Sequence, residues 1–194
     1  PQAEGEIKGG IFLMITKQQY AQAQQRALEY YHRAGIAITP EESKRIEVAD
    51  FNLGELEKIG LEVLVYVNTD RVCAKELVLF PGQTCPEHIH PSKDGRPGKE
   101  ETFRCRWGTV YLYVGGETNA VPDRSGLEPH DAYLRVDHQV ILHPGEQYTL
   151  RPDTLHWFRG GEEGAVVSEF STTSTDEEDL FTDPNIYRFT KIGE

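Results

Sequence analysis

Cysteine, methionine and positive charge are all scarce in this chain. Cys73, Cys85 and Cys105 are its only cysteines, and no two form a C-x-x-C pair. An odd, scattered set builds neither a disulfide framework nor a thiolate zinc site, and fits a reducing, cytoplasmic setting. Basic side chains number 20 against 32 acidic ones, a formal net charge of −12. Such a chain repels phosphate backbones and anionic lipid, so nucleic acid and membrane surfaces are not expected partners. No apolar run approaches the roughly 18 residues of a spanning helix. The beginning lacks a basic stretch followed by a long apolar one, so no secretory signal is read there. Met14 is the single methionine. Residues 1–13 show no clear period and read in two ways: a leader added ahead of a natural start at Met14, or a native arm covering part of the fold.

What is present is enough for one domain with a real core: 194 residues, 38% of them hydrophobic. Residues 16–33 carry Tyr20, Ala23, Ala27 and Tyr30 or Tyr31 at helical spacing, with Gly35 just beyond. A second short helix is expected from Thr39, with Pro40 at its first position and Glu42 completing a capping box. From Leu61 the pattern changes. Segments 61–67, 73–79, 109–114, 140–143, 147–150, 156–159 and 165–170 read as short strands, separated by Pro-Gly, Gly-Gly and Pro-Asp turns. Many short strands without intervening helices indicate an antiparallel sandwich or barrel, with the helices packed outside it. The polar stretch 119–130, with two prolines, reads as a surface loop.

Chemistry concentrates in four residues. His88 and His90 stand two apart, so on a strand they share a face. Glu101 would return on a following strand, and His156 would close the set from a distant hairpin. Three imidazoles and a carboxylate suit a divalent transition metal. Structural sites are usually closed thiolate tetrahedra, which this set is not.

The spacing Gly82-x5-His88-x-His90 … Glu101-x6-Gly108 resembles the first motif of the cupin superfamily. It departs from the usual pattern in the longer interval from His90 to Glu101, where residues 91–98 look like an extended hairpin loop. The second cupin motif is weaker: Gly145 and His156 stand where expected, but Arg151 and Asp153 replace the usual Pro and Gly. The stretches Tyr66–Arg71, Lys75–His88, Glu101–Arg106 and Phe181–Pro184 are similar to the D-lyxose isomerase family, and the similarity runs from about residue 15 to 186. That resemblance implies a mainly β cupin (double-stranded β-helix, or jelly-roll) barrel over residues 14–194. Helices would occupy about 16–48, the barrel about 51–172 and a C-terminal tail about 173–194. It implies a homodimer and a divalent metal, commonly Mn2+, with Co2+, Ni2+, Fe2+ and Zn2+ as alternatives. The implied substrates are free monosaccharides: D-lyxose with D-xylulose, and often D-mannose with D-fructose.

Further candidates surround the ligands. Lys99 lies two residues before Glu101, on the same face if the strand extends that far. It could stabilise an oxyanion or shuttle a proton; otherwise it is a solvated loop lysine. The resemblance favours the first, since a distant branch of the family also has lysine there. Glu169 interrupts an apolar strand, where a carboxylate needs a partner or a raised pKa, and either suits a general base. The alternative is an outward-facing strand residue. Asp183 is a candidate for a sugar hydroxyl or an ordinary Asx turn before proline. Phe103 shares the phase of Glu101 and would line a sugar pocket, and Arg188 would cap it. Lys75 could point inward, although such lysines often snorkel from a strand edge. Glu87 alternates away from His88, which points to a supporting or surface role. Arg104 and Arg106 fall opposite Glu101. His32, His130, His138 and His143 have no ligand spacing and read as surface or packing residues.

Two other enzyme classes use similar ligands: an iron-dependent cupin dioxygenase and a cupin phosphosugar isomerase. The first leaves Lys99 and Glu169 unexplained, and the second needs a basic cluster for a phosphate dianion. A non-enzymatic sugar-binding protein is a third alternative, with little need of an open metal site.

Overall fold

A computed structural model describes residues 14–193. The two readings of residues 1–13 fall outside them. Strand β1 (Ile15–Thr16) leads into helix α1 (Lys17–Arg33). Thr16 caps that helix, and the Gln19 side chain reciprocates to the Thr16 backbone. Ala23, Ala27, Tyr30 and Tyr31 form its buried stripe. Gly35 follows at φ +70°, the left-handed turn expected beyond a helix end. Helix α2 (Pro40–Ser43) starts at Thr39 with the predicted capping box.

The strands are β2 (Glu47–Ala49), β3 (Leu61–Asn68), β4 (Cys73–Leu79), β5 (Thr84–Ile89), β6 (Glu101–Val114), β7 (His138–Leu142), β8 (Gln147–Leu150), β9 (His156–Ser171), β10 (Leu180–Phe181) and β11 (Ile192–Gly193). Strands β2 to β10 form one antiparallel sheet in the order β10-β5-β9-β4-β3-β2, with β6 joined to β9 and β7 and β8 joined to β6. The β1–β11 pair is parallel and separate.

Two long strands give the sheet its curl. β6 runs beside β9 along almost its whole length. The start of β9, at Thr84–His88 register, lies between β5 and β6, while its end lies between β4 and β6. Near the middle the register shifts at Cys105/Trp107 and again at Gly108/Val110. A side chain at Gly108 would stand 2.0 Å from the Gly164 carbonyl oxygen, and both glycines have positive φ (+72° and +87°). The chain therefore bends at Gly108, and the bend resets the alternation of inward and outward residues. Sequence periodicity divides these strands at their kinks and finds only fragments of each.

The bent sheet buries two apolar clusters. Val63, Leu77, Phe103, Cys105, Phe158 and Val167 fill the barrel interior. Leu64, Val78, Phe80 and Val166 face outward and pack beneath Ala27, Tyr30 and Tyr31 of α1. The insert between His90 and Glu101 is a small hairpin, with Lys93 bridged to Arg96 and positive φ at Asp94 and Gly95. At the second motif, Asp153 takes φ +62° where glycine is usual. Its carboxylate accepts the Ser92 backbone N–H at 2.6 Å and the Ser92 hydroxyl at 2.5 Å, which secures that conformation. Stretch 119–130 is a loop, as expected, though Leu127 is buried beneath it. The C-terminal stretch is more than a tail: it makes a 3-10 turn (Asp176–Glu178) and then pairs with β5 through β10.

Candidate active site

β5, β6 and β9 converge at one end of the barrel. His88, near the end of β5, is the register partner of His156, the first residue of β9. His90 lies just past β5, and Glu101 opens β6. Ring nitrogens of His88, His90 and His156 all come within 4.8 Å of one another. Glu101 Oε1 stands 3.2 Å from Nε2 of both His90 and His156.

The outer ring nitrogens select the tautomers. Nδ1 of His88 donates to the Pro86 carbonyl at 2.8 Å, and Nδ1 of His156 donates to the Thr154 carbonyl at 2.9 Å. Nδ1 of His90 meets the Asp179 carboxylate at 2.5 Å. At His88 and His156 the contact leaves an Nε2 lone pair facing the centre, and at His90 it orients the ring so that a metal can take the place of the Nε2 proton. Nε2 of His156 is fully buried and makes no hydrogen bond, although Glu101 lies beside it. Two acceptors facing each other in a dry site are what a cation would satisfy. The donor set, three nitrogens and an oxygen without thiolate, fits a divalent metal of borderline hardness. Burial, then the neighbouring His156 and His90, hold His88 well below the ordinary histidine pKa, so it stays neutral. At His90 burial works downward, but the Glu101 and Asp179 carboxylates outweigh it and raise the pKa to about 9.

Beside this cluster lies a buried ion network. Lys99 Nζ sits 2.5 Å from Glu101 Oε2 and 3.1 Å from Glu169 Oε1. Burial opposes the Lys99 charge, yet Glu101, Glu169 and Asp176 together hold its pKa well above the ordinary lysine value. Burial likewise opposes the Glu101 charge, and Lys99 and His90 overcome it, holding that carboxyl well below its usual range. Glu169 is flanked across the sheet by Lys75 on β4 and Phe103 on β6. Lys75 Nζ donates to Ser174 Oγ at 2.8 Å and to Asp176 at 3.0 Å. Arg188 joins the far side, 2.6 Å from Asp176 and 2.5 Å from Glu47. Lys75, Lys99, Glu101, Glu169, Asp176 and Arg188 border a narrow cavity of about 40 Å³, walled by Phe103, Phe158 and Phe181.

Comparison with known proteins decides the family. Residues 19–194 match the D-lyxose isomerase family. This chain belongs to that family. It is 59% identical to a D-lyxose/D-mannose isomerase of Thermosediminibacter oceani over 92% of this chain and 99% of the other. It is 56% identical to a D-lyxose ketol-isomerase of Cohnella laeviribosi over 90% of this chain and 96% of that one. Among solved structures, the L-ribose isomerase of Cellulomonas parahominis superposes with a TM-score of 0.75 at 17% identity, covering 93% of this chain and 98% of that one. At that identity the likeness concerns the fold, which is the cupin barrel. As a member of the D-lyxose isomerase family, the chain is an isomerase.

Within this family member, the structure gathers His88, His90, Glu101, His156, Lys99, Glu169 and Phe103 into one place. Arg188 borders the same cavity. Lys75 is buried and points inward; it does not snorkel. Asp183 requires a correction, because it does not line this cavity. One of its oxygens accepts the backbone and side-chain N–H groups of Asn185, both at 2.8 Å, and the other meets His130 Nδ1 at 2.5 Å. It is the Asx turn of the two sequence alternatives, with a histidine partner from a distant loop. Glu87 is buried and structural: it accepts the backbone N–H groups of Arg135 and Val136 and the Thr182 hydroxyl. Arg104 and Arg106 are exposed. Sequence reasoning missed Asp176, Asp179 and Phe181. The acidic run Asp176-Glu177-Glu178-Asp179 looks like a solvated surface, and only the Phe181-Thr-Asp-Pro184 likeness marked this region as distinctive. No helix among the described residues is long and apolar enough to cross a membrane.

Proposed function

We propose that this chain interconverts free aldoses and ketoses, D-lyxose with D-xylulose and D-mannose with D-fructose, by proton transfer between C1 and C2 through a cis-enediolate. One observation carries the reading: Glu169 and Lys99 are ion-paired in a buried cavity that two of the three converging histidines, His88 and His90, also line. His88, His90, Glu101 and His156 would hold a divalent metal, Mn2+ first, which supplies Lewis acidity toward the sugar carbonyl. Glu169, 3.1 Å from Lys99, takes the C2 proton of the open-chain aldose and returns it to C1. Lys99 gives a proton to O1 as negative charge builds there and recovers one from O2, so protons balance over the turnover. Phe103 offers an apolar wall to the sugar carbons, and Arg188 with Asp176 bounds the far end. Sequestering these groups from water strengthens each charge interaction. Manganese and homodimerisation rest on the family likeness, and cytoplasmic residence on the scattered, unpaired cysteines.

A phosphosugar substrate is disfavoured by the same geometry. Lys75, Lys99 and Arg188 each already face a carboxylate, which leaves no free cation cluster among the described residues of the cavity for a phosphate dianion. The test is ketose formation from a panel of free aldoses, using chelator-stripped protein before and after Mn2+ is added. Restored conversion of D-lyxose or D-mannose is expected. Folded protein that converts no free sugar with any divalent metal would overturn the reading in favour of phosphorylated substrates, then of iron-dependent oxygen chemistry.

A further inference from the structure

The three histidines are not held alike. His88 and His156 are oriented by carbonyls two residues earlier in the chain, Pro86 within β5 and Thr154 just before β9. His90 lies beyond the end of β5 and is oriented by Asp179, 89 residues further along the chain. A carboxylate on the outer nitrogen fixes the ring and strengthens the inner nitrogen as a donor.

Asp179 sits on a segment that closes one side of the cavity. Asp176 meets Lys75 and Arg188, and Leu180 and Phe181 pair with Ile89 and His88. The Phe181 ring centre lies 5.3 Å from His88 and 5.5 Å from Phe51. The Thr182 backbone N–H donates to the Glu87 carbonyl at 3.0 Å, and its hydroxyl donates to the Glu87 carboxylate at 2.7 Å. Apart from Phe181 these attachments are polar, and Leu180 is 58% exposed. A segment with many polar bonds and little apolar burial opens at low free-energy cost. Opening is also required. His88, His90, Lys99 and Glu169 are each no more than 9% exposed and border a cavity of only about 40 Å³, so a sugar reaches them only when some wall moves.

We propose that residues 176–183 form a strap whose closure is coupled to the metal centre, with Asp179 as the positioning residue for His90. The inference rests on the metal site proposed above. Thermodynamic reciprocity follows: a metal that needs His90 in this orientation favours the closed strap, and the closed strap tightens metal binding.

The test measures Mn2+ affinity directly, in wild-type protein and in Asp179→Ala, Asp179→Asn and Glu178→Ala variants. Asp179→Ala should weaken Mn2+ binding roughly 10- to 100-fold, the usual cost of losing such an outer partner. Asp179→Asn should lose less, since its amide carbonyl still accepts from Nδ1. Glu178→Ala, on the same turn but bonded outward to Lys93, should bind like wild type. Amide hydrogen exchange on wild-type protein gives the second arm. Mn2+ should slow exchange at Thr182 about tenfold or more, and should not do so in Asp179→Ala. Wild-type Mn2+ affinity in Asp179→Ala, or strap exchange indifferent to Mn2+ in wild-type protein, would overturn the coupling while leaving the metal site intact. If wild-type protein binds no divalent metal, the site reading fails and the coupling with it. If Asp179→Ala does not fold, the exchange experiment on wild-type protein decides alone.

Discussion

On β9, Glu169 faces the cavity; on β4, Lys75 faces the cavity and Glu76 turns away from it; on β3, Val63 points in and Glu62 points out beneath α1. Both faces therefore bury carboxylates, and they treat them differently. Inside the barrel, Glu101, Glu169 and Asp176 lie within reach of Lys99, Lys75 and Arg188. Burial opposes the Asp176 charge, but Lys75 and Arg188 prevail and hold it well below the usual carboxylate range. Outside, Glu62 is fully buried with a Gln83 amide at 3.2 Å on one oxygen and no partner on the other. Burial raises its pKa well above the usual value, only partly opposed by Gln83. Glu101 and Glu62 are equally buried, yet their pKa values move in opposite directions, and the cation facing Glu101 makes the difference. Charged carboxylates mark the face that does chemistry, and a proton-bearing one belongs to the face that only packs.

Substitutions can break this contrast. The largest effect is expected for His156→Ala, which removes a central donor. Metal-dependent turnover should vanish while circular dichroism reports a retained fold; near-full activity of the metal-loaded variant would remove His156 from the ligand set. Next is Lys75→Met, which withdraws one of two cations from the partly buried Asp176. It should lower unfolding free energy by about 2 kcal/mol in urea titrations, since hydrogen bonds to charged groups are worth about that much and Arg188 remains.

The smallest effect, and the one that sharpens the comparison, is Glu62→Gln. A carboxyl with a raised folded pKa binds more protons folded than unfolded, so its charge costs stability as pH rises from the unfolded value toward the folded one. Glu62→Gln should be nearly neutral below about pH 4 and increasingly stabilising at higher pH. Each tenfold difference in proton affinity between folded and unfolded chain is worth about 1.4 kcal/mol. Melting temperatures of both proteins from pH 4 to pH 9 check this; a gain independent of pH would mean that Glu62 is ionised in the fold.

Much of this site was legible because its rules are local. Alternation along a strand places Lys99 with Glu101 and separates Glu87 from His88, and the Thr39 capping box needs only four residues. What was not legible depends on contacts between distant stretches. Asp183 satisfies the sequence pattern of an Asx turn and of a sugar ligand equally well, and only the His130 contact separates them. Asp179 stands in an acidic run that alone predicts solvent exposure, yet it reaches His90 because β10 pairs with β5. The kinks at Gly108 and Gly164 hid the length of β6 and β9, since a phase reset makes one strand read as two.

The most direct test of the inward face as the chemical face is Glu169→Gln, with Mn2+ affinity and turnover measured on the same preparation. The account predicts unchanged Mn2+ affinity with turnover lower by a factor of roughly 100 or more, the usual loss for a general base. Turnover at the wild-type rate would contradict it.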